Sequence, residues 1–311
     1  MNAHEKIVIG YLLHPRGYCF GVKRTVDMLD QVLKLYKSVY VIEDIVHSKL
    51  FMDNALARGI IKVHSINDVP DGSAIMFSSR GISQKTLKKA DEKQLTVIDA
   101  TCPVVKKLQE EVIDKAGEGY VVIIIGNRAH QQIATLLGSI DSDDVYVVNS
   151  EMDIDLLPSF DGRKVAYFTQ TSLFPGDIRK ITDALKSKIP DIIHGRPDTE
   201  HDVCAETLDR QAVIAEIAPT IDLLLVLGAS YSANAMSLVR CGLSNNIKNV
   251  IRIDSREGIQ KDILNGINSF ALISSTSVDE PVIKDIENSL QNLAGIEYII
   301  YPEIEGQQAL A

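Results

Sequence analysis

Strands alternating with helices along nearly the whole chain predict a parallel α/β fold built as three similar modules. Three observations carry this expectation. Short apolar runs recur with helix-length segments between them, five of those runs end in a small polar loop, and Cys19, Cys102 and Cys204 each sit at a loop-to-helix junction.

The elements follow in order. Residues 6–13 (KIVIGYLL) read as a buried strand ended by His14-Pro15. A helix over 23–35 sets Val26, Leu29, Val32 and Leu33 on one face and Lys23, Asp27, Asp30 and Lys34 on the other. A strand over 39–42 runs into Glu43-Asp-Ile-Val-His47 and a further helix, followed by strands over 60–63, 74–77 and 96–98 and a charged helix over 84–93. The same grammar continues with a helix over 104–117, strands over 120–125, 145–148 and 165–168, and a helix over 176–187. After Cys204 come a helix to about Ile217, a strand over 223–227, a helix over 234–243, strands over 249–253 and 270–273, and a last helix over 280–293. The expected modules are 1–101 with Cys19, 102–203 opening on Cys102, and 204–289 opening on Cys204, followed by a C-terminal tail over 290–311 that is short and polar after Ile299 and has no assigned role.

The strand ends form a weak internal repeat. Ile75–Gly81, Ile123–His130, Tyr167–Ser172, Leu224–Ser232 and Leu272–Ser277 each pass from an apolar run into small polar residues. In parallel α/β units ligands bind at the carboxyl ends of strands, so these loops are the candidate site.

Composition narrows the function. With 45% hydrophobic and 24% charged residues the chain has ample core for a soluble globular protein. A net charge of −10, no tryptophan and 5% aromatics argue against a nucleic-acid partner. No apolar run reaches membrane-spanning length, and the first residues, MNAHEK, lack a signal-peptide pattern. Four cysteines are too sparse for a disulfide scaffold, so a cytoplasmic, reducing setting is expected.

Cys102 lies in Val97-Ile-Asp-Ala-Thr-Cys-Pro103, where an apolar strand gives way to a polar turn, a thiol and a helix-opening proline. A helix N-terminus favours the thiolate, the form that binds metal. Cys19 in Pro15-Arg-Gly-Tyr-Cys-Phe-Gly-Val22 and Cys204 in Asp202-Val-Cys-Ala205 occupy comparable positions. Buried structural thiols are the alternative for each, and a structural zinc site is disfavoured because zinc normally takes four protein ligands. Cys241 falls on a helix and reads as a small core residue.

The cysteine contexts, with Glu43-Asp-Ile-Val-His47 and Phe168-Thr-Gln-Thr-Ser172, resemble the LytB/IspH family of 4-hydroxy-3-methylbut-2-enyl diphosphate reductases, and the likeness runs from about residue 7 to 290. The resemblance implies a pseudo-threefold trefoil of α/β modules around a central [4Fe-4S] cluster held by Cys19, Cys102 and Cys204, one iron remaining open to substrate. It also implies diphosphate contacts from His47, His130, Ser232, Asn234 and Ser277, an active-site threonine at Thr171, and ferredoxin or flavodoxin as electron donor. His4, His14, His64, His194 and His201 match no family position and are read as structural.

Three positions depart from the family pattern. Arg80 stands where the family has histidine; it suits phosphate but relays no proton. Ala233 replaces a serine. Gln132 replaces the glutamate that feeds protons to the departing hydroxyl, and an amide has no proton to give at physiological pH. The neighbours Gln131-Gln-Ile-Ala-Thr135 differ as well, which reads as natural divergence. The expected function is therefore a LytB/IspH-type reductase that removes a hydroxyl from a (di)phosphorylated allylic alcohol, with Gln132 and Thr171 orienting that hydroxyl. An altered substrate is favoured over the family's own. A non-catalytic redox sensor binding a phosphorylated ligand is the alternative from another class.

Overall fold

The computed structural model describes residues 7–302. The chain begins with β1 (Val8–Leu13), α1 (Phe20–Leu35), β2 (Val39–Val41), α2 (Lys49–Ala57), β3 (Ile60–Lys62), β4 (Ala74–Phe77), α3 (Gln84–Glu92) and β5 (Thr96–Asp99). It continues with α4 (Pro103–Gly117), β6 (Val121–Ile125), α5 (Gln131–Leu137), β7 (Val145–Val148), α6 (Glu151–Asp155), β8 (Val165–Thr169), α7 (Pro175–Lys188) and β9 (Ile193–His194). The last part is α8 (Ala205–Ile217), β10 (Leu223–Leu227), α9 (Ala233–Ser244), β11 (Asn249–Ile253), β12 (Ser269–Ser274), α10 (Glu280–Gln291) and β13 (Ile296–Tyr301). Among the described residues no helix is long and apolar enough to cross a membrane.

The strands form three parallel sheets, ordered β11-β10-β12-β1-β13, β3-β2-β4-β5 and β7-β6-β8-β9. This is the three-sheet α/β architecture expected of the sequence. The chain divides into two compact units. Among the described residues, one comprises those up to Cys19, His47–Lys49 and those from Ala205 onward, and holds the five-stranded sheet. The other comprises Phe20–Val46 and Leu50–Cys204 and holds both four-stranded sheets.

In the first unit β10 (LLLVL) is buried at every residue, as a central parallel strand covered on both faces must be. Leu225, Leu227, Phe270, Leu272, Ile283 and Ile286 share its core. The α10 helix starts at Asp279, whose carboxylate accepts from Val282 N at 3.2 Å.

Two expectations change here. β1, assigned by sequence to residues 1–101, pairs with β12 and β13 and so belongs to the sheet formed by the C-terminal strands. Residues 296–301, expected within a tail, form β13, paired with β1 from Val8↔Ile296 to Leu13↔Tyr301. β13 is an edge strand of mixed exposure, and its apolar stretch Tyr298–Tyr301 fell within the expected tail. Residues 303–311 of the expected tail lie outside the described residues.

In the second unit β6 (VVIII) and β8 (VAYFT) are wholly buried. Gln109 on α4 ties its two sheets together, donating from Nε2 to Ile82 O at 2.9 Å and to Ser139 Oγ at 2.7 Å. Gly81 takes φ +99°, and a Cβ there would come within 3.0 Å of Thr135, so the turn after β4 requires glycine. α1 starts at Phe20, directly after Cys19 and earlier than expected. α5 was not expected: its N-cap is His130, whose Nδ1 accepts from Gln132 N at 3.2 Å, and histidine is not among the residues that signal a cap in sequence.

Candidate active site

One backbone pattern holds all three candidate ligands. Each cysteine N–H donates to the carbonyl two residues past a strand end: Cys19 to Thr276 (3.3 Å), Cys102 to Ser79 (3.1 Å) and Cys204 to Thr171 (3.0 Å). The strands are β12, β4 and β8, three of the five whose ends repeat in the sequence. The residue two before each cysteine donates to the last residue of the same strand. Ala100 N reaches Phe77 O at 3.1 Å, Gly17 N reaches Ser274 Oγ at 2.7 Å, and Asp202 N reaches Thr169 Oγ1 at 2.8 Å. The sequence repeat is thus a repeat of thiol placement.

Around Cys102 the support is backbone. The residue is the N-cap of α4 with Pro103 following, its carbonyl accepts from Lys106 N at 2.9 Å, and no side chain caps the helix through it. Arg24 on α1 donates to Thr101 O at 3.2 Å. A Cβ at Gly21 would come within 3.0 Å of the Cys102 Sγ, so the thiol occupies space that only glycine leaves open. Cys19 follows a loop pinned by the fully buried Arg210, which donates from Nη2 to Gly17 O at 3.0 Å, and by Arg16, paired with Glu287 at 2.6 Å. None of the four cysteines is in a disulfide, and Cys19, Cys102 and Cys204 are all half-buried. Burial pushes the Cys241 thiol up to about 11, in keeping with a structural role.

Among the described residues no three His, Cys, Asp or Glu side chains converge on a single ion. A cluster makes a different demand, since each thiolate binds a separate iron. Three half-buried thiols in one repeated setting, with Gly21 making room at Cys102, suit that soft-donor role.

Gln132 is buried, and its Oε1 accepts from both Thr171 N (3.3 Å) and Thr171 Oγ1 (3.1 Å). The two residues predicted to orient the hydroxyl therefore touch. Gln132 Nε2 is buried with no hydrogen-bond partner, a donor left for something outside the protein. Because His130 Nδ1 accepts the Gln132 N–H, the ring proton of the neutral imidazole sits on Nε2. Burial, with Arg80 adding to it, pulls His130 down to about 4, so at neutral pH it is an uncharged donor. Arg80 is anchored by Gln131 Oε1 and Asp44 O.

In the unit containing Ala205 onward, Asn234 and Ser232 open α9, and Ser232 Oγ accepts from Ala235 N at 3.3 Å. The Asn234 amide works at both ends: Oδ1 accepts from Thr276 N at 3.0 Å and Nδ2 donates to Thr207 Oγ1 at 3.0 Å. It therefore braces the residue that receives the Cys19 N–H. Ser277 is buried, and the His47 ring packs edge-on against Tyr231 with centroids 5.3 Å apart.

Comparison with known proteins places this arrangement. The family model described as LytB protein matches residues 11–291. The chain belongs to the LytB family. A 4-hydroxy-3-methylbut-2-enyl diphosphate reductase from Hahella chejuensis is 32% identical over 289 residues, covering 91% of this chain and 90% of that protein. The namesake from Hamiltonella defensa is 33% identical over 301 residues, covering 96% and 92%. The solved structure of the E-1-hydroxy-2-methyl-but-2-enyl-4-diphosphate reductase from Plasmodium falciparum superposes with a TM-score of 0.88 at 31% identity, covering 97% of this chain and 95% of that one. As a LytB-family member this chain is an oxidoreductase.

Sequence reading missed several groups in this LytB fold. Ser275 Oγ is buried without a partner beside the β12 end, although its hydroxyl-rich loop was already singled out. Asp202 and His194 form a buried pair next to Cys204, which only tertiary contact reveals. A cavity of about 130 Å³ is lined by Glu43, Ser78, Ser83, Thr86, Gln131 and Thr135, and burial pushes the Glu43 carboxyl above its usual range.

Proposed function

We propose that this LytB-family protein is a [4Fe-4S]-dependent reductase that removes a hydroxyl from a (di)phosphorylated allylic alcohol, and that its substrate differs from 4-hydroxy-3-methylbut-2-enyl diphosphate. The net change takes R–OH, two electrons and two protons to R–H and water. Cys19, Cys102 and Cys204 are the proposed cluster ligands. When bound, the cluster supplies the electrons and a Lewis-acidic iron for the hydroxyl. His47, Arg80, His130, Ser232, Asn234 and Ser277 are the proposed contacts for the anionic group, with a ferredoxin or flavodoxin as donor.

The observation that carries the altered-substrate reading is the state of Gln132. Its Oε1 is spent on Thr171, and the group left over, Nε2, donates a hydrogen bond but no proton. Thr171 Oγ–H points at Gln132, so this pair orients a hydroxyl rather than protonating it. The protons then come from the substrate's own phosphate or from water. Loss of a general acid typically costs about 10²–10⁴-fold in rate.

A second reading keeps the family's own substrate and a compensated proton supply; the names carried by relatives across more than nine-tenths of the chain favour it. Anaerobic turnover of 4-hydroxy-3-methylbut-2-enyl diphosphate by the cluster-loaded protein, with a strong artificial reductant, separates the two. The altered-substrate reading expects little turnover from an intact cluster, and turnover at a rate normal for the family would overturn it. Gln132→Glu should raise that turnover if the missing acid is the only defect.

A further inference from the structure

Cys204 is the last residue of an irregular segment that runs from β9 to the start of α8. A long irregular loop is a poor support for a ligand unless side chains fix it. Here one carboxylate gathers those side chains. Asp202 has a fully buried side chain; its Oδ2 accepts from Thr169 N at 2.6 Å and faces His194 Nε2 at 3.2 Å, and Arg196 Nη1 lies 3.4 Å from Oδ1. Its backbone N–H returns to Thr169 Oγ1 at 2.8 Å, closing a two-way clamp between residues 202 and 169. Two residues further along both segments, Cys204 N donates to Thr171 O at 3.0 Å. The two rungs, 202 to 169 and 204 to 171, set the loop in register with the end of β8. Thr171 is the residue that holds Gln132 through both its N–H and its hydroxyl.

The rest of the cluster is committed to the same end. His194 Nδ1 lies 2.7 Å from both Arg196 O and Thr199 O, so the ring spans the loop it supports. Arg196 Nε pairs with Glu111 on α4 at 2.8 Å, the helix that Cys102 caps. A buried carboxylate costs several kcal/mol of desolvation unless paired, and Asp202 is paired on both oxygens.

We propose that Asp202 is a positioning residue for the Cys204 thiol, holding it in register with the Thr171–Gln132 pair through a reciprocal clamp on Thr169. The thiol's role as a cluster ligand rests on the function proposed above; the clamp itself does not.

Two variants test it: Asp202→Asn, which keeps the shape, and Thr169→Val, which removes the hydroxyl acceptor without changing any charge. Thr169→Ser, which restores the acceptor, is the rescue control. In metal-free full-length protein, iodoacetamide labelling of Cys204 read by peptide mass spectrometry, with Cys102 as internal reference, reports the loop directly. Asp202→Asn and Thr169→Val should each raise the Cys204-to-Cys102 labelling ratio about ten-fold, the factor one buried hydrogen bond is worth, while Thr169→Ser leaves it near that of the parent. An unchanged ratio in Thr169→Val overturns the proposal, whether or not Asp202→Asn folds. In cluster-loaded protein the same two variants should alter the electron paramagnetic resonance spectrum of the reduced cluster and speed its loss to a chelator. A parent protein that takes up no iron would sink the cluster reading and leave the labelling result standing.

Discussion

Cys102 and Cys204 donate the same backbone hydrogen bond to equivalent strand ends and each directly precedes a helix, yet the segments that lead to them are held differently. Cys102 is placed by regular structure: a strand, a short turn, a proline and a helix that starts on it. Its turn closes on itself, with Asp99 Oδ1 accepting from Thr101 N at 2.8 Å and from the Thr101 hydroxyl. Cys204, which also stands directly before a helix, has in addition a buried charge network around Asp202 in the irregular segment that leads to it. The Asp99–Thr101 turn is local, its hydrogen bonds connecting neighbours in sequence. A buried network depends on every partner being present.

The largest effect should make no distinction between them. Cys102→Ser and Cys204→Ser should each abolish the visible absorbance and iron content of an iron–sulfur protein, since a hydroxyl is a poor ligand for such a cluster. A full iron complement in either variant would show that the thiol is not a ligand.

Stability should then separate the two. His194→Ala strips a partner from a buried carboxylate and should cost about 3 kcal/mol in denaturant unfolding. Gly21→Ala crowds Cys102 Sγ at 3.0 Å and should cost about 1–2 kcal/mol, the range of modest overpacking. The reverse order would mean that the Cys102 junction, and not the Asp202 network, is the more demanding support.

Two half-buried histidines give the comparison a pH dependence of opposite sign. For His194, burial disfavours the charge, but the Asp202 hydrogen bond and charge, with the Thr199 and Arg196 carbonyls, outweigh it and raise the pKa above 6.5. Its contribution is complete below about pH 6.5 and is lost as pH rises through the folded-state value. His130 is depressed by burial and by Arg80 to about 4, so its contribution is present above pH 6.5 and is lost as pH falls towards about 4. Unfolding midpoints across pH 4–9 should show His194→Ala flattening the alkaline side, with the acid side unchanged. An acid-side change in that variant would reverse the assignment.

The smallest expected effect is at the proline. Pro103→Ala should cost less than about 1 kcal/mol, because a first-turn proline mainly restricts the unfolded chain. A larger loss would mean that the ring, rather than the turn and helix, holds Cys102.

Much of this protein was legible in its sequence. The apolar runs at β6, β8 and β10 are buried on both faces, so their composition marked them as central parallel strands. The three cysteine junctions and the strand-end loops could be found for the same reason: each is a contiguous stretch whose meaning is local. What stayed hidden was whatever depends on distant pairing. β13 became a strand because β1 lies beside it, although its own residues alternate weakly. His194 read as a structural residue and Asp202 only as part of the Cys204 junction, yet residues 169, 194, 196 and 202 meet only when β8, β9 and the loop are brought together. Likewise Gln132 was known to be an amide from the sequence alone. That its oxygen is taken by Thr171 and its nitrogen left without a partner was decided by tertiary structure, because hydrogen bonding in a buried site is settled by which groups the fold leaves within reach.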